Sequence, residues 1–344
     1  LPDQSRPPTA PAVVGSAASP PDRPTDNPAE LPLQPAAETT APPPASHPPQ
    51  TPRHTDHARD LGHVPHGPHF WLVSTRERHG CQYSPRVEWY GCSTGWQPSS
   101  LAALVASDDP DVVTVIYVHG NDTSAADARL VGMAAYRQLG LPRQGQQVRF
   151  IVWSWPSDRV RGSIARDARI KAAFAESEGY QLARFVSELS PGVPVSLVGF
   201  SFGARVITAG AHLLGGGSLK GQRLEIAPPP RPLRTILLAA AVDRDWIVPG
   251  RRHGQALAVC EQMLLLVNGQ DRVLRYYPRI SDDGRTGALG YCGAPTWLLG
   301  EHRDRLVQWN VQPYVGRAHG WEHYLYNGPL MNRLRSFVWF TTAR

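Results

Sequence analysis

The stretch VSLVGFSFGAR, residues 195–205, decides the fold of this chain. It begins as an apolar, β-branched run typical of a buried strand and continues into the small-residue run FGARVITAGAHLL, which predicts a helix. Ser201 lies at the junction, between Gly199 and Gly203. A very tight turn forces its apex residue into strained backbone angles, and glycines two positions away remove side chains that would clash. The sequence therefore predicts a serine whose hydroxyl is held clear at the top of the sheet, with a helix N-terminus behind it that favours negative charge.

The rest of the chain repeats this alternation of strand and helix. Apolar runs at spacings typical of strands are separated by segments with apolar residues three and four apart. We predict a mostly parallel sheet with helices on both faces, an α/β fold. The predicted strands are FWLVST, RVEWYGC, VVTVIYV, VRFIVWSW, VPVSLVGF, TILLAAAVD, MLLLVNGQD and VQPYVG.

Residues 1–69 differ in composition from residues 70–344. They hold 18 of the 34 prolines and contain no Phe, Tyr, Trp or Ile. Such a segment buries too little apolar surface to offset its ordering entropy, so we predict a disordered Pro/His-rich tether followed by one catalytic domain. His63, His66 and His69 recur every three residues and could bind a transition metal loosely along one edge of a polyproline helix. A spacer that is merely rich in histidine is the simpler interpretation.

Charge and cysteine content bound the partners and the compartment. The net charge of +6 favours anionic surfaces or substrates weakly, and an ordinary basic, solvated face explains it more simply. No nucleic-acid partner is predicted, and no apolar run is long enough to span a membrane. The even cysteine count, in two local pairs, predicts the disulfides Cys81–Cys92 and Cys260–Cys292 and hence an exported protein, periplasmic, cell-envelope or extracellular. No cysteine or histidine cluster has zinc spacing, so no structural metal is expected.

A nucleophilic serine needs a base, and the base needs an orienting acid. Asp271 follows the strand in MLLLVNGQD, and His323 follows the last predicted strand. We favour Ser201, Asp271 and His323 as the catalytic residues. Asp243, after the preceding strand, is the alternative acid and His319 the alternative base. Either aspartate could instead cap a helix.

A second loop could supply an oxyanion hole. In YVHGND, residues 117–122, the Asn121 N–H could point with the Phe202 N–H at one site, and Gly120 allows the bend. His119 is expected to be packed and hydrogen-bonded instead of acting as a base. Three tryptophans near strand ends either line an acyl pocket or pack in the core: Trp153, Trp155 and Trp246.

From about residue 70 onward, the motifs VIYVHGND, LVGFSFGARVI, LLAAAVDRDWI, GQDRVLRYY and EHYLY resemble the alpha/beta-hydrolase superfamily, and within it an uncharacterised bacterial branch known only as a domain of unknown function. The resemblance implies the acid at Asp271, in Asp-x-x-Leu, and the histidine directly before an aromatic residue, His323 before Tyr324. Ala241 replaces the usual proline of that branch.

The resemblance also implies a reaction. It predicts an esterase- or lipase-like serine hydrolase that cleaves a small-molecule or lipid-like ester, thioester or amide through an acyl-serine, without metal or organic cofactor. Two other functions stay open. One is a catalytically silent binding module that keeps this fold. The other is an envelope structural protein in which the tether acts as the spacer.

Overall fold

A computed structural model describes residues 69–77, 84–140, 147–160, 162–281 and 284–340. Cys81 and the predicted tether up to residue 68, with His63 and His66, lie outside these ranges. The described residues form one sheet in the order β3-β2-β1-β5-β4-β6-β7-β8-β9. Its strands are β1 Phe70–Ser74, β2 Arg86–Gly91, β3 Gly95–Ser99, β4 Val113–Val118, β5 Val148–Ser154, β6 Val195–Phe200, β7 Leu233–Leu238, β8 Gln262–Val267 and β9 Leu306–Asn310.

Helices connect most of these strands. The α-helices are α1 Leu101–Ala106, α2 Ala125–Ala135, α3 Ile164–Glu188, α4 Phe202–Leu214, α5 Ala256–Val259, α6 Leu289–Cys292, α7 Gln312–Val315, α8 Trp321–Leu325 and α9 Gly328–Val338. A π-helical turn, Tyr136–Gly140, extends α2, and 3₁₀ turns cover Leu274–Arg279, Thr296–Leu298 and Gly300–Arg305.

Local sequence explains where the main helices begin. Ser124 caps α2 in a capping box: its side chain accepts the Asp127 N–H, and the Asp127 carboxylate accepts the Ser124 N–H. Ser163 caps α3 through the Arg166 N–H. These side chains satisfy amide groups that have no partner inside the helix.

The predicted fold class is confirmed. All pairings from β1 through β9 across the sheet are parallel except those of β2, which is antiparallel to both β1 and β3. The chain runs from β4 through α2 to β5 in one direction, and from β5 through α3 to β6 in the other. Because such connections are right-handed, α2 and α3 lie on opposite faces of the sheet. The strands β5 and β6 are accordingly buried along their whole length.

This strand order also positions a site. From β4 the chain turns toward β5, whereas from β6 it turns toward β7 on the other side. Ligands of open α/β sheets bind at such a reversal, outside the carboxyl ends of the strands. Here the loop after β4 meets the turn after β6, and that turn carries Ser201.

Two features of the sheet differ from expectation. The run VQPYVG was predicted as the last strand, but β9 ends at Asn310 and residues 312–315 form α7. Pro313 has no N–H to give to a strand ladder, and the Asn310 side chain accepts the Gln312 N–H at 3.0 Å. The edge strand β3 was not predicted, because its glycine and its proline, Pro98, conceal the strand pattern.

The predicted Cys260–Cys292 disulfide is wrong, since both thiols are free. Cys260 is fully buried just before β8, with its Sγ 3.7 Å from Thr235 Oγ1. Cys292 is exposed and ends α6, which packs beyond the other end of β8. A six-residue strand spans about 20 Å, far more than a disulfide can bridge. The predicted Cys81–Cys92 disulfide is wrong as well, because Cys92 is a free, exposed thiol; Cys81 itself is not among the described residues.

Among the residues that the structure describes, no helix is both long enough and apolar enough to cross a bilayer.

Candidate active site

Ser201 occupies a strained turn between β6 and α4. Its backbone angles, φ 54° and ψ −118°, are ones that L-residues rarely adopt. Both flanking glycines are sterically required. A Cβ on Gly199 would lie 2.7 Å from the Ala204 nitrogen, and a Cβ on Gly203 would collide with the Val118 carbonyl oxygen. The turn therefore has the geometry of a nucleophile elbow, as the sequence predicts.

The structure brings Ser201, His319 and Asp271 into one hydrogen-bonded series. His319 Nε2 lies 3.2 Å from Ser201 Oγ, and His319 Nδ1 lies 2.8 Å from Asp271 Oδ2. A carboxylate only accepts hydrogen bonds, so it fixes the proton of the neutral imidazole on Nδ1. The Nε2 lone pair then faces the serine hydroxyl, which is the arrangement that a general base needs.

Asp271 serves two purposes at once. Its side chain is fully buried, and Oδ1 accepts the N–H groups of Val273 and Leu274, both at 2.9 Å. It therefore caps the 3₁₀ turn that follows, which is the alternative role foreseen for an aspartate at this place. The other oxygen remains free to hold His319.

The contacts expected of His323 are made by His319 instead. His323 lies on α8, where Tyr324 and Leu325 form the buried face, and its own side chain is 51% exposed, 3.6 Å from Glu322. Successive helical residues point about 100° apart, so burying Tyr324 turns His323 toward solvent. His319 precedes the helix and is free of this constraint. Its position in the loop before Gly320 is the sequence signal that could have identified it.

The alternative acid, Asp243, belongs to a separate buried cluster. It accepts a hydrogen bond from the Tyr277 hydroxyl at 2.6 Å, and Arg205 Nη2 lies 3.9 Å from it. The Arg205 guanidinium also stacks 4.6 Å above the Trp246 ring. This cluster supports the underside of the elbow, since Arg205 Nε donates to the Ala241 carbonyl and the Ala241 N–H donates to the Ser201 carbonyl.

The residues predicted for the oxyanion hole flank the serine. Phe202 opens α4, so its N–H is among the first amides of the helix, which have no acceptor inside it. A Cβ on Gly120 would lie 3.2 Å from Ser201 Cβ, so the loop that contains Asn121 passes directly beside the nucleophile. The Asn121 side-chain amide donates to the buried Asp167 carboxylate at 2.9 Å.

A hydrogen-bond network holds this loop in place. Arg76, which the sequence did not single out, donates to the Thr123 carbonyl at 2.8 Å, and its Nη2 lies 3.2 Å from His119 Nε2. Burial lowers the pKa of His119 to about 3, so the ring is neutral. Nε2 therefore accepts from Arg76, and Nδ1 donates to the Gly120 carbonyl at 2.9 Å. Trp155 Nε1 donates to the His119 carbonyl. His119 is thus packed and hydrogen-bonded, as predicted.

The three tryptophans proposed for an acyl pocket are core residues. Trp153 and Trp155 are fully buried, and Trp246 is 6% exposed. A cavity of about 180 Å³ is lined instead by the Gly120–Asn121 loop. Its apolar walls include Phe200, Leu130 and Trp321, none of which was predicted from the sequence as a site residue.

Among the described residues, no group of three or more His, Cys, Asp or Glu side chains is arranged to hold a metal ion.

No protein-family profile and no curated protein sequence matches the chain. Among solved structures, it is similar to acyl-protein thioesterase 2 of Zea mays, at 13% identity and a TM-score of 0.37 over 66% of this chain and 92% of that one. An esterase of Thermogutta terrifontis matches at 13% identity and a TM-score of 0.33, over 79% of this chain and 94% of that one. Esterase B of Lactobacillus rhamnosis matches at 12% identity and a TM-score of 0.35, over 78% and 85%. At identities and TM-scores this low, these similarities support no conclusion about the function of this chain.

Proposed function

We propose that the chain is a serine hydrolase of the alpha/beta-hydrolase type, acting on a carboxylic ester through an acyl-serine intermediate. The observation that carries the proposal is the hydrogen-bonded series Ser201–His319–Asp271 at a strained strand-to-helix turn. Strain of this kind is retained where the surrounding structure enforces it, and it is concentrated at functional sites. A serine that merely capped α4 would accept a helix N–H, yet Ser201 makes no side-chain cap.

Each residue has a defined part in the reaction. Ser201 Oγ attacks the ester carbonyl carbon while His319 Nε2 takes the hydroxyl proton. The negative charge on the carbonyl oxygen is stabilised by the N–H groups of Phe202 and Asn121. As the tetrahedral species collapses, the bond to the leaving oxygen breaks and His319 returns its proton to that oxygen. A water molecule, deprotonated by His319, then attacks the acyl carbon. The bond from that carbon to Ser201 Oγ breaks, His319 returns the proton to Oγ, and the acid is released.

The size of the cavity beside Phe200 indicates which acyl groups fit. At about 180 Å³ it is smaller than the pockets that enclose drug-sized ligands, which are roughly 300–1,000 Å³. It lies next to the Gly120–Asn121 loop, where the carbonyl oxygen of the substrate would be held, and both apolar side chains and the Asp122 and Asp127 carboxylates line it. We infer from its size a short acyl chain.

A fluorophosphonate probe tests the proposal, because it reacts only with an activated serine. We expect labelling of Ser201, located by peptide mass spectrometry, and none in Ser201→Ala. Wild-type protein should hydrolyse nitrophenyl butyrate faster than nitrophenyl octanoate, and the variant neither. A folded wild-type protein that is neither labelled nor active would contradict the proposal and favour the alternative, a silent binding or envelope structural protein.

We also propose that the protein is exported to the cell envelope or beyond. The polar, proline-rich composition of the predicted tether supports this proposal, whereas the predicted disulfides do not, because Cys92, Cys260 and Cys292 are free thiols. Cell fractionation of the full-length protein would test it, and confinement of all the protein to the cytoplasm would contradict it.

A further inference from the structure

A cleft lined by arginines opens beside the loops that carry Asp271 and His319. Its volume is about 380 Å³, and we call it the arginine cleft after Arg272, Arg275 and Arg317. Gly269, Gln270 and Tyr291 complete its lining. An adjoining cavity of about 500 Å³ shares Arg275 and Tyr291 with it and adds further arginines, Arg244 and Arg285.

The chain places this cleft next to the catalytic series. Arg272 directly follows Asp271, and Arg317 lies two residues before His319. The two loops are joined, because the Arg272 N–H donates to the Arg317 carbonyl at 3.3 Å. The loop that contains the acid Asp271 and the loop that contains the base His319 thus each contribute one arginine to the cleft.

The positive charge in this cleft is not neutralised. Within the described part of the chain, Arg272, Arg275 and Arg317 form no ion pair and no side-chain hydrogen bond, and all three are exposed. Other arginines of the domain are paired: Arg129 with Glu88, and Arg252 with Glu176.

Among the described residues that line the two cavities, one carries a carboxylate, Asp245, and it lies 3.7 Å from Arg251. The cavity beside Phe200 has the opposite character, because the charged side chains in its lining are Asp122 and Asp127, with His119 neutral. Concave surfaces of one charge attract ligands of the other, and guanidinium groups match carboxylate and phosphate oxygens in geometry.

The protonation step of the proposed reaction indicates which part of the substrate lies in the arginine cleft. His319 must protonate the leaving oxygen, so the leaving group lies against His319 and away from the Gly120–Asn121 loop. We propose that the leaving group of the substrate carries a carboxylate or a phosphate, which binds Arg272, Arg275 and Arg317. This inference rests on the proposed ester hydrolysis and names its substrate class: a short-chain acyl ester of an anionic alcohol.

Two matched pairs of butyrate esters test the proposal by turnover. Nitrophenyl and carboxynitrophenyl butyrate differ by one carboxylate, and butyryl glycerol and butyryl glycerol phosphate differ by one phosphate. For each pair, the ratio of kcat/KM for the anionic ester to that for the neutral ester is measured in wild type, in Arg272→Gln/Arg317→Gln and in Arg137→Gln. Arg137 is an exposed arginine that lies past α2, before β5, near the opposite end of the sheet.

We expect wild type to favour the anionic member of at least one pair, and the double variant to lower that ratio about tenfold or more, as loss of hydrogen bonds to a charged group does. The control Arg137→Gln should keep the wild-type ratio, and high salt should reduce it in wild type. The pair that responds identifies carboxylate or phosphate as the anion. Neutral esters turned over as fast as both anionic ones, or an unchanged ratio in the double variant, would overturn the proposal and leave ester hydrolysis standing.

A binding measurement without turnover distinguishes failure of the anion-site proposal from failure of the proposed ester hydrolysis. Calorimetry on Ser201→Ala should give at least about tenfold tighter binding of butyryl glycerol phosphate, or of the carboxylate ester, than of its neutral partner, with the advantage lost when Arg272→Gln/Arg317→Gln is added. Equal affinities would overturn the anion site whether or not wild-type protein is an esterase.

Discussion

His319 Nδ1 lies 2.8 Å from Asp271 Oδ2, and two backbone N–H groups hold the other oxygen of the same carboxylate. Because this carboxylate is fully buried and fixed on both sides, it selects the histidine tautomer whose Nε2 accepts the serine proton. We predict that Asp271→Asn lowers kcat about 10⁴-fold, because an amide in that place can favour the other tautomer.

The matched control for that variant is Asp243→Asn. Asp243 accepts from Tyr277 and lies near Arg205, so its change should lower the melting temperature while kcat falls far less than in Asp271→Asn. Ester hydrolysis and thermal unfolding of both variants are the measurements. A larger loss of kcat in Asp243→Asn would move the acid to the loop after β7.

The two histidines near the end of the chain should differ sharply when each is changed to alanine. His319→Ala removes the base and should reduce turnover by about 10⁴-fold or more, whereas His323→Ala removes a half-exposed side chain beside Glu322 and should change it less than about threefold. Steady-state hydrolysis of nitrophenyl butyrate compares them. If His323→Ala were the inactive variant, the base would lie on α8 and the resemblance would have identified it correctly.

Gly203 should tolerate no side chain, because its missing Cβ faces backbone atoms. In Gly203→Ala the methyl group would collide with the Val118 carbonyl oxygen and lie 2.7 Å from that of His119, neither of which can rotate away. We expect the free energy of unfolding to fall by about 2 kcal/mol or more, with loss of activity.

Gly328→Ala provides the control in the first turn of α9, where a Cβ meets nothing within 4 Å apart from its own chain neighbours. That variant should match wild type to within about 1 kcal/mol, because the helical preference of alanine and the crowding by Pro329 act in opposite directions. Urea unfolding measures both. Equal stability of the two variants would show that the elbow can widen, and that Gly203 is not required by packing.

Stability should fall as the pH falls below about 6.5, the ordinary pKa of histidine. Burial keeps His119 neutral in the folded chain by lowering its pKa to about 3, with the Arg76 charge acting in the same direction. Above pH 6.5 neither state binds the proton and the full stability is present. Between 6.5 and about 3 only the unfolded chain binds it, so each pH unit costs up to about 1.4 kcal/mol. Burial lowers the pKa of His253 in the same sense.

Urea unfolding at a series of pH values between 7.5 and 5 measures that slope. His119→Asn should be less stable at neutral pH, since it loses the contact with Arg76, but its stability should depend less steeply on pH than that of wild type. Parallel curves for the two proteins would mean that His119 takes up its proton in the folded state.

Local patterns predicted the centre of the sheet because β4, β5 and β6 are buried on both faces, and such strands must be apolar throughout. Prediction failed at the edges. The strand β3 contains Pro98, which an edge strand tolerates, and the run VQPYVG has the right composition for a strand but contains Pro313 and forms α7. A strand at the edge of the sheet is only partly buried, so its residues need not be apolar. The hydrophobic pattern therefore does not identify it.

The sequence by itself determined the turn at Ser201, because its steric requirements involve only a few neighbouring residues. Those requirements therefore appear in the sequence as a short motif, a serine between two glycines. It also indicated Asp271, after an apolar strand, and in the structure this carboxylate lies 2.8 Å from His319 Nδ1. Only the tertiary structure brings His319, and not His323, to Ser201, because that contact depends on which face of α8 is buried. The sequence likewise does not predict that Arg76 donates to the Thr123 carbonyl, or that the Arg272 N–H donates to the Arg317 carbonyl. Both join residues more than 40 positions apart, and contacts at such separations follow from how the strands are ordered, which no local pattern encodes.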